Sequence, residues 1–277
     1  MIGIEAAGRS HSGRVRPENE DHHALVTPSD PALRERKGHL LVVADGLGGH
    51  EAGQVASATA VHGLVDAYYA STSPSRVEPA LQHAVQVANL RVHAVARQNS
   101  SYRSMQTTLS SLVLAGASAY IAHVGDSRIY LIRAGTLTQL TNDHSEAAEL
   151  VRLRLVKQEL LDEHPRRNVL TRTMGSNILL RPDYQRLPVQ EGDTFVLCTD
   201  GLWSEVNQDE ITRVATTHSP ENACQKLLDL QLARASLDNA TALVVKVLSV
   251  ESDSTESDGW LNSFIGRIAG SRSDRRR

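Results

Sequence analysis

Four acidic elements of this chain sit where an apolar run gives way to a turn. They are Asp45-Gly46 after Val43-Ala44, Asp126 in Gly125-Asp126-Ser127 after Val124, Asp200-Gly201 after Cys198-Thr199, and Asp238-Asn239 just ahead of the last apolar run. An aspartate at a strand end is held by rigid backbone while its carboxylate points into open space. Any one Asp-Gly pair is ordinarily a plain turn. Several carboxylates aimed at one point are different: they repel unless cations lie between them. Carboxylate oxygens are hard ligands, and the sequence carries no His or Cys cluster at metal spacing. The ion implied is therefore Mg²⁺ or Mn²⁺ rather than Zn²⁺.

The elements that must position these groups follow from periodicity. Leu40–Ala44 is a β-type run ending in the Gly-rich turn Asp45-Gly46-Leu47-Gly48-Gly49. Glu51 to about Tyr69 is Ala-rich without proline, and Val77 to about Gln98 repeats apolar residues every three to four positions, so two helices are expected. Short strands then follow at Ser111–Leu114, Ala119–Val124 and Arg128–Ile132. A helix is expected over Glu146–Leu161, a strand over Thr194–Thr199, a helix from Pro220 to about Arg234, and a closing strand over Thr241–Leu248. Strands and helices that fail to alternate argue against a parallel sheet. The expected fold is an α/β (α+β) sandwich with two central antiparallel sheets flanked by helix pairs, occupying residues 1–249.

Composition narrows the function. In 277 residues, 29 basic side chains against 32 acidic ones give no excess positive charge for a nucleic-acid backbone. Two cysteines, Cys198 and Cys224, make neither a disulfide framework nor a four-thiolate site, which fits a reducing cytoplasm. No basic-then-apolar leader opens the chain, and no run of about 18 apolar residues exists to span a bilayer.

With the order of its motifs in view, the chain resembles the type 2C metal-dependent serine/threonine phosphatases in their compact bacterial form. The pieces are Gly13-Arg14-Val15-Arg16 with Asn19-Glu20-Asp21, Ala44 to His50, Thr107-Thr108, His123 to Arg128, Thr141 to Ser145, Asn168 to Arg172, Thr199 to Trp203, and Asp238 to Thr241. The resemblance implies that Asp45 bridges two cations, Mn²⁺ or Mg²⁺, with Asp200 and Asp238 on the first and the Gly46 carbonyl on the second. It further implies that Glu20 and Asp21 hold ion-bound waters and that Arg16 grips the substrate phosphate with its planar fork. Phosphate monoesters hydrolyse so slowly unaided that enzymes accelerate them by up to about 10²¹-fold. A cation pair can supply much of that by acidifying water and offsetting charge on the departing oxygen, with no phosphoenzyme.

Departures from the family pattern carry expectations of their own. Some members place a histidine two residues after the first metal aspartate as the leaving-group acid; this chain has Leu47, so that acid is unassigned, with His50 nearby as a candidate or as a local hydrogen-bonding group. A third ion in bacterial members resembles a site of Asp126, Asp200 and an aspartate where this chain has Ser204, so a weaker third site is expected, with Glu205 a misdirected substitute. The stretch from about Ser145 to Arg181 resembles the family's flap, where His164, Arg166 and Arg167 either contact phosphopeptide or face water. Residues 250–259 form an acidic, Ser-rich linker. Residues 260–277 form a short amphipathic, Arg-rich tail that either docks on a membrane surface or a partner protein, or frays.

The resemblance implies a monomeric enzyme that dephosphorylates serine and threonine in proteins, reversing a cognate bacterial kinase on that kinase's substrates. Two other readings stay open: a hydrolase of small phosphate esters with the same metal centre, and a weakly active phosphoprotein-binding module.

Overall fold

A computed structural model of the chain describes residues 1–49, 51–70, 77–161, 164–234 and 236–251. Its elements are strands β1 (Ile2–His11) and β2 (Asp21–Val26), helix α1 (Pro31–Lys37), strand β3 (His39–Leu47), helices α2 (Glu51–Ala70) and α3 (Val77–Gln98), and strands β4 (Gln106–Thr107), β5 (Leu109–Ala115), β6 (Ser118–Val124), β7 (Arg128–Arg133) and β8 (Thr136–Gln139). Helix α4 (Glu146–Arg152), strands β9 (Asp183–Pro188) and β10 (Thr194–Cys198), helices α5 (Asp200–Trp203), α6 (Gln208–Thr217) and α7 (Pro220–Ala233), and strand β11 (Ala240–Val250) complete the order.

Side-chain alternation along the strands decides the layering, because successive residues point to opposite faces. In β3, Leu41 and Val43 face inward with Phe195 and Leu197 of β10 and Leu243 and Val245 of β11, forming a core between two sheets. The intervening Leu40, Val42 and Ala44 face outward onto α2 and α3, where Leu64, Tyr68, Leu81 and Val85 lie fully buried. On the opposite side, Val196, Cys198 and Val244 meet Ile211 of α6 and Leu227 of α7. Each such apolar side chain contributes about 1.5–3 kcal/mol on burial. The result is four layers, helices on sheet on sheet on helices, as expected from the sequence.

The first sheet runs β1-β11-β10-β7-β8 and the second β2-β3-β5-β6-β9, with β4 added beside β3. All pairs are antiparallel, and β1 is joined to β11 along its whole length, from Ile2 opposite Val250 to His11 opposite Ala240.

Three expectations change. Strand β3 does not turn at Asp45; it runs on to Leu47 because β4 pairs with it there, Gly46 opposite Thr107 and Leu47 opposite Gln106. The helix expected to reach Leu161 stops at Arg152: Arg154 adopts a left-handed φ of 59°, Leu155 N–H reaches back to the Leu150 carbonyl at 2.9 Å, and Arg154 N–H to Val151 at 2.8 Å. That six-to-one and five-to-two pattern ends a helix, and an arginine in the place usually given to glycine left no signal of it. The last strand reaches Val250, one residue into the stretch read as linker; the rest of the linker beyond Glu251, and the whole tail, lie outside the described residues, as does His50.

Candidate active site

The carboxylates gather at one end of the two sheets because the elements bearing them end there. Asp21 opens β2 and stands opposite Asp45 of β3 in register. Asp126 lies in the connection by which the chain passes from β6 in one sheet to β7 in the other, just after Gly125 at φ 105°. Asp200 opens α5 immediately after β10, and Asp238 precedes β11. Like charges opposed across strands repel, so the polar neighbours that hold them matter.

Asp21 is buried, and one of its oxygens accepts hydrogen bonds from the hydroxyls of Thr199 and Thr241, both at 2.7 Å. Those bonds fasten a residue of the second sheet to two strand ends of the first. Asp45 is fixed through its backbone: its N–H donates to Thr108 Oγ1 at 2.8 Å, and its carbonyl accepts from Thr107 Oγ1 at 2.8 Å and Thr108 N–H at 2.9 Å. Thr108 is in turn bonded to Ser127, beside Asp126. Asn239 stitches the loop that bears Arg16 and Glu20, donating to the Ser12 and Glu18 carbonyls and accepting from Glu20 N–H at 2.8 Å. Glu20's own carbonyl accepts from Gly46 N–H at 3.1 Å and Ser57 Oγ at 2.6 Å.

The electrostatic consequence is a set of carboxyls that resist ionisation. Burial raises Asp21 to about 7, with Asp200 and Asp238 adding to the rise and the two threonine hydroxyls opposing it. Burial and the neighbouring Asp200, Asp21 and Asp126 push Asp45 well above the ordinary carboxylate range. Asp126 is driven up by burial, Asp200 and Asp143, and Asp200 by burial and Asp238, with Arg16 and a hydrogen bond from Asp45 opposing. A hydrogen bond between two carboxyls requires one of them to keep a proton.

Asp238 stands slightly apart, its carboxylate turned to Arg16 at 3.1 Å and to the Asn239 N–H at 3.0 Å. Among the described residues, no three His, Cys, Asp or Glu side chains close on a single point as they stand. The fold thus brings Asp45, Asp21, Asp126 and Asp200 into mutual interaction on one floor and sets Asp238 beside Asp200. Hard, buried, mutually repelling oxygens are a donor set suited to divalent cations of the Mg²⁺ or Mn²⁺ kind.

Arg16, Arg167, Asp200, Ser204, Glu205 and Asp238 line a cavity of about 400 Å³ at this end. Of the flap residues, Arg167 therefore reaches the site's rim, whereas Arg166 pairs with Glu146 at 2.7 Å and the His164 ring accepts from the nearby Arg166 N–H.

Two glycines of the Asp-Gly pairs are required by close backbone approach. A Cβ at Gly46 would run into the Gly53 carbonyl of α2, and one at Gly201 into the Asn239 carbonyl. Backbone atoms cannot step aside as a flexible side chain can. Gly201→Ala is expected to cost about 3 kcal/mol or more, read from the midpoint of urea unfolding; an unchanged midpoint would refute the packing argument.

The sequence reading overlooked one structural support. Arg128 and Asp143, with side chains only 9% and 7% exposed, pair at 2.7 Å. Arg128 lies 3.5 Å over the Trp203 ring, and Trp203 Nε1–H donates to the Asp126 carbonyl at 3.0 Å. Breaking a buried pair from one side strands the other charge. Asp143→Ala should lower stability by about 3–5 kcal/mol, measured by urea unfolding, and a loss under 1 kcal/mol would show the pair to be dispensable. The signal was present in the ordered pieces His123–Arg128 and Thr141–Ser145, but nothing in either says that they meet.

A two-sheet sandwich that collects buried carboxylates at the ends of its strands is built as a cation-dependent protein. A sequence profile described as Protein phosphatase 2C matches residues 7–238. The serine/threonine phosphatase stp of Listeria innocua is 34% identical over 250 residues, covering 88% of this chain and 96% of that protein. The crystal structure of the Mycobacterium tuberculosis serine/threonine phosphatase PstP/Ppp superposes with a TM-score of 0.80 at 29% identity, over 90% of this chain and 100% of that one. The catalytic domain of the phosphatase PstP in complex with two manganese ions does so with a TM-score of 0.77 at 28% identity, over 90% and 100%. This chain belongs to the protein phosphatase 2C family.

Proposed function

We propose that the chain is a serine/threonine protein phosphatase that releases phosphate from phosphoserine and phosphothreonine by direct attack of water. The observation that carries the reading is the floor of Asp21, Asp45, Asp126 and Asp200, whose carboxyls are all driven toward protonation by burial and one another. That arrangement opposes the fold by itself and makes sense as a receptor for positive charge. Family membership and the stp and PstP relatives support the same reading.

Asp45, Asp200, Asp238 and the Gly46 carbonyl would hold two divalent cations, Mn²⁺ or Mg²⁺, and Glu20 and Asp21 would hold ion-bound waters. Cations bound there supply charge neutralisation and a lowered pKa for water. The chain's own groups do the rest. Arg16 and Asp238 pair across the mouth of the cavity, so an arriving phosphate competes with Asp238 for the guanidinium fork, which suits two phosphate oxygens. Thr107 and Thr108 keep the Asp45 backbone from shifting as charge develops. Leu47 brings no proton to the leaving oxygen, and no residue is assigned to that task. Asp126 and Asp200 are assigned to a third ion, bound weakly because Ser204 offers no carboxylate.

The physiological substrates proposed are phosphoproteins made by a cognate kinase, met by the monomeric enzyme in the cytoplasm. Two buried free cysteines suit a reducing compartment, and none of the helices among the described residues is long and apolar enough to cross a membrane.

Phosphate release from phosphothreonine peptides and from an aryl phosphate, with Mn²⁺, Mg²⁺ or EDTA, tests the reading. Turnover of peptides that requires either cation is expected. Turnover of the aryl phosphate alone would favour the small-ester hydrolase, and none at all would leave a binding module.

A further inference from the structure

A second cleft borders β4, the short strand that pairs with the end of β3. Its walls are the last turns of α3, the segment 103–106 and the backbone at Gly175-Ser176, and its volume is about 630 Å³. His93, Arg97, Arg103 and Gln106 face it. The walls are fixed. Asn99 caps the single turn Ser100–Tyr102 through its side chain at 2.9 Å, Tyr102 anchors that turn to Glu51 at 2.7 Å, and Thr173 Oγ1 donates to Gln106 Oε1 at 2.5 Å.

The charge of this cleft is uncompensated. Neither Arg97 nor Arg103 has an ion-pair partner among the described residues. His93 adds a third feature. Its Nδ1 lies 3.0 Å from the Gly175 carbonyl, and a carbonyl only accepts, so Nδ1 bears the hydrogen. Its Nε2 is buried without any hydrogen-bond partner among the described residues. A buried, unpartnered ring nitrogen is costly unless something completes it. A ligand held by the two guanidiniums would complete it.

The cleft also adjoins the strand that supports the site. Gln106 on its wall pairs with Leu47, and the next residue, Thr107, donates to the Asp45 carbonyl at 2.8 Å. On the reading of the carboxylate floor as a phosphatase site, we propose that this cleft is a substrate subsite that takes an anionic side chain, carboxylate or phosphate, flanking the phosphorylated residue. Arg97 and Arg103 are its specificity-determining residues. Their forks suit both oxyanions, and both side chains are exposed, so removing them leaves the core untouched.

Steady-state kinetics on three substrates test this: a phosphothreonine peptide with flanking glutamates or a second phosphoresidue, the same peptide with neutral flanks, and an aryl phosphate. In the double variant Arg97→Ala/Arg103→Ala, KM for the anionic peptides should rise about tenfold. The neutral peptide and the aryl phosphate should stay within about twofold. The charge reversal Arg97→Glu/Arg103→Glu should turn the preference toward peptides with flanking lysines. Carboxylate and phosphate flanks tested separately show which oxyanion the cleft holds more tightly. An unchanged ratio of anionic to neutral peptide in both variants overturns the subsite, as does an equal loss on all three substrates, which would make the arginines structural. A wild-type chain that turns over none of them fails as a phosphatase and takes the subsite with it, a result distinct from lost discrimination.

Discussion

Asp45→Ala should lower kcat for phosphopeptide hydrolysis by at least about 10³-fold at saturating Mn²⁺. Asp45 is the carboxylate that meets the most others, with Asp200, Asp21 and Asp126 all raising its protonation. It is therefore the group whose charge two cations would share. Its backbone bonds to Thr107 and Thr108 do not involve the carboxylate, so β3 and β4 should keep their places in the variant. Asp45→Ala should accordingly melt no lower than the wild type in EDTA, because a repelling buried carboxyl has gone. Retention of more than a tenth of the wild-type kcat would remove Asp45 from the mechanism, whereas a large fall in the EDTA melting temperature would make the lost activity a folding defect.

The second large effect concerns the cations and pH. A carboxyl whose pKa is raised by folding disfavours its charged form in the fold. It costs nothing below its unfolded value near 3.8, costs progressively more as pH rises through its folded value, and costs a constant amount above that. For Asp21, raised to about 7 mainly by burial, the full cost is about 4 kcal/mol. Buried histidines run the other way. His123, lowered to about 3 chiefly by burial and then by His144, destabilises the fold as pH falls below the ordinary histidine value. The two trends overlap between about pH 4 and 6.5, so melting temperature against pH alone is ambiguous. The difference between Mn²⁺ and EDTA is not, since the histidines contribute equally to both. The increment due to Mn²⁺ should be small at pH 5 and grow to about 10 °C by pH 8, measured by calorimetry in both buffers. An increment that is flat or shrinks with rising pH would mean that cations do not bind the Asp21, Asp45, Asp200 group.

Much of the architecture was legible because it rests on short-range patterns. The short apolar runs of β3, β5, β6, β7 and β10 and the three-to-four spacing in α3 reflect surfaces that must be buried, and apart from the extension of β3 to Leu47 those elements fall within a residue or two of expectation. Helix α6 was missed although Asn207 and Glu210 form a complete capping box; ten residues with only Ile211, Val214 and Ala215 buried make a weak stripe. Strand β1 was missed because most of its side chains are partly exposed, and its strand character comes from β11, far away in sequence.

The site divides in the same way. Asp45, Asp126, Asp200 and Asp238 announced themselves by standing at strand ends. The groups that hold them, Thr199 and Thr241 on Asp21 or Trp203 on Asp126, are ordinary residues whose importance is a matter of tertiary proximity. Periodicity carries no information about that proximity. Nor could the sequence foresee that Asp238 would lie against Arg16, since a rotamer answers to local charge rather than to position in a motif.

The zipping of β1 to β11 has a consequence for how the molecule is made. Strand β11 lies between β1 and β10 in its sheet, so a nascent chain carries β1 without that hydrogen-bonding neighbour until Ala240–Val250 have been made. Closing this sheet therefore waits on a pairing remote in sequence, and such long-range pairing is slow. Asp238 and the Thr241 hydroxyl arrive on the same late segment, so the carboxylate floor gains its last polar supports only once β11 has slotted between β1 and β10.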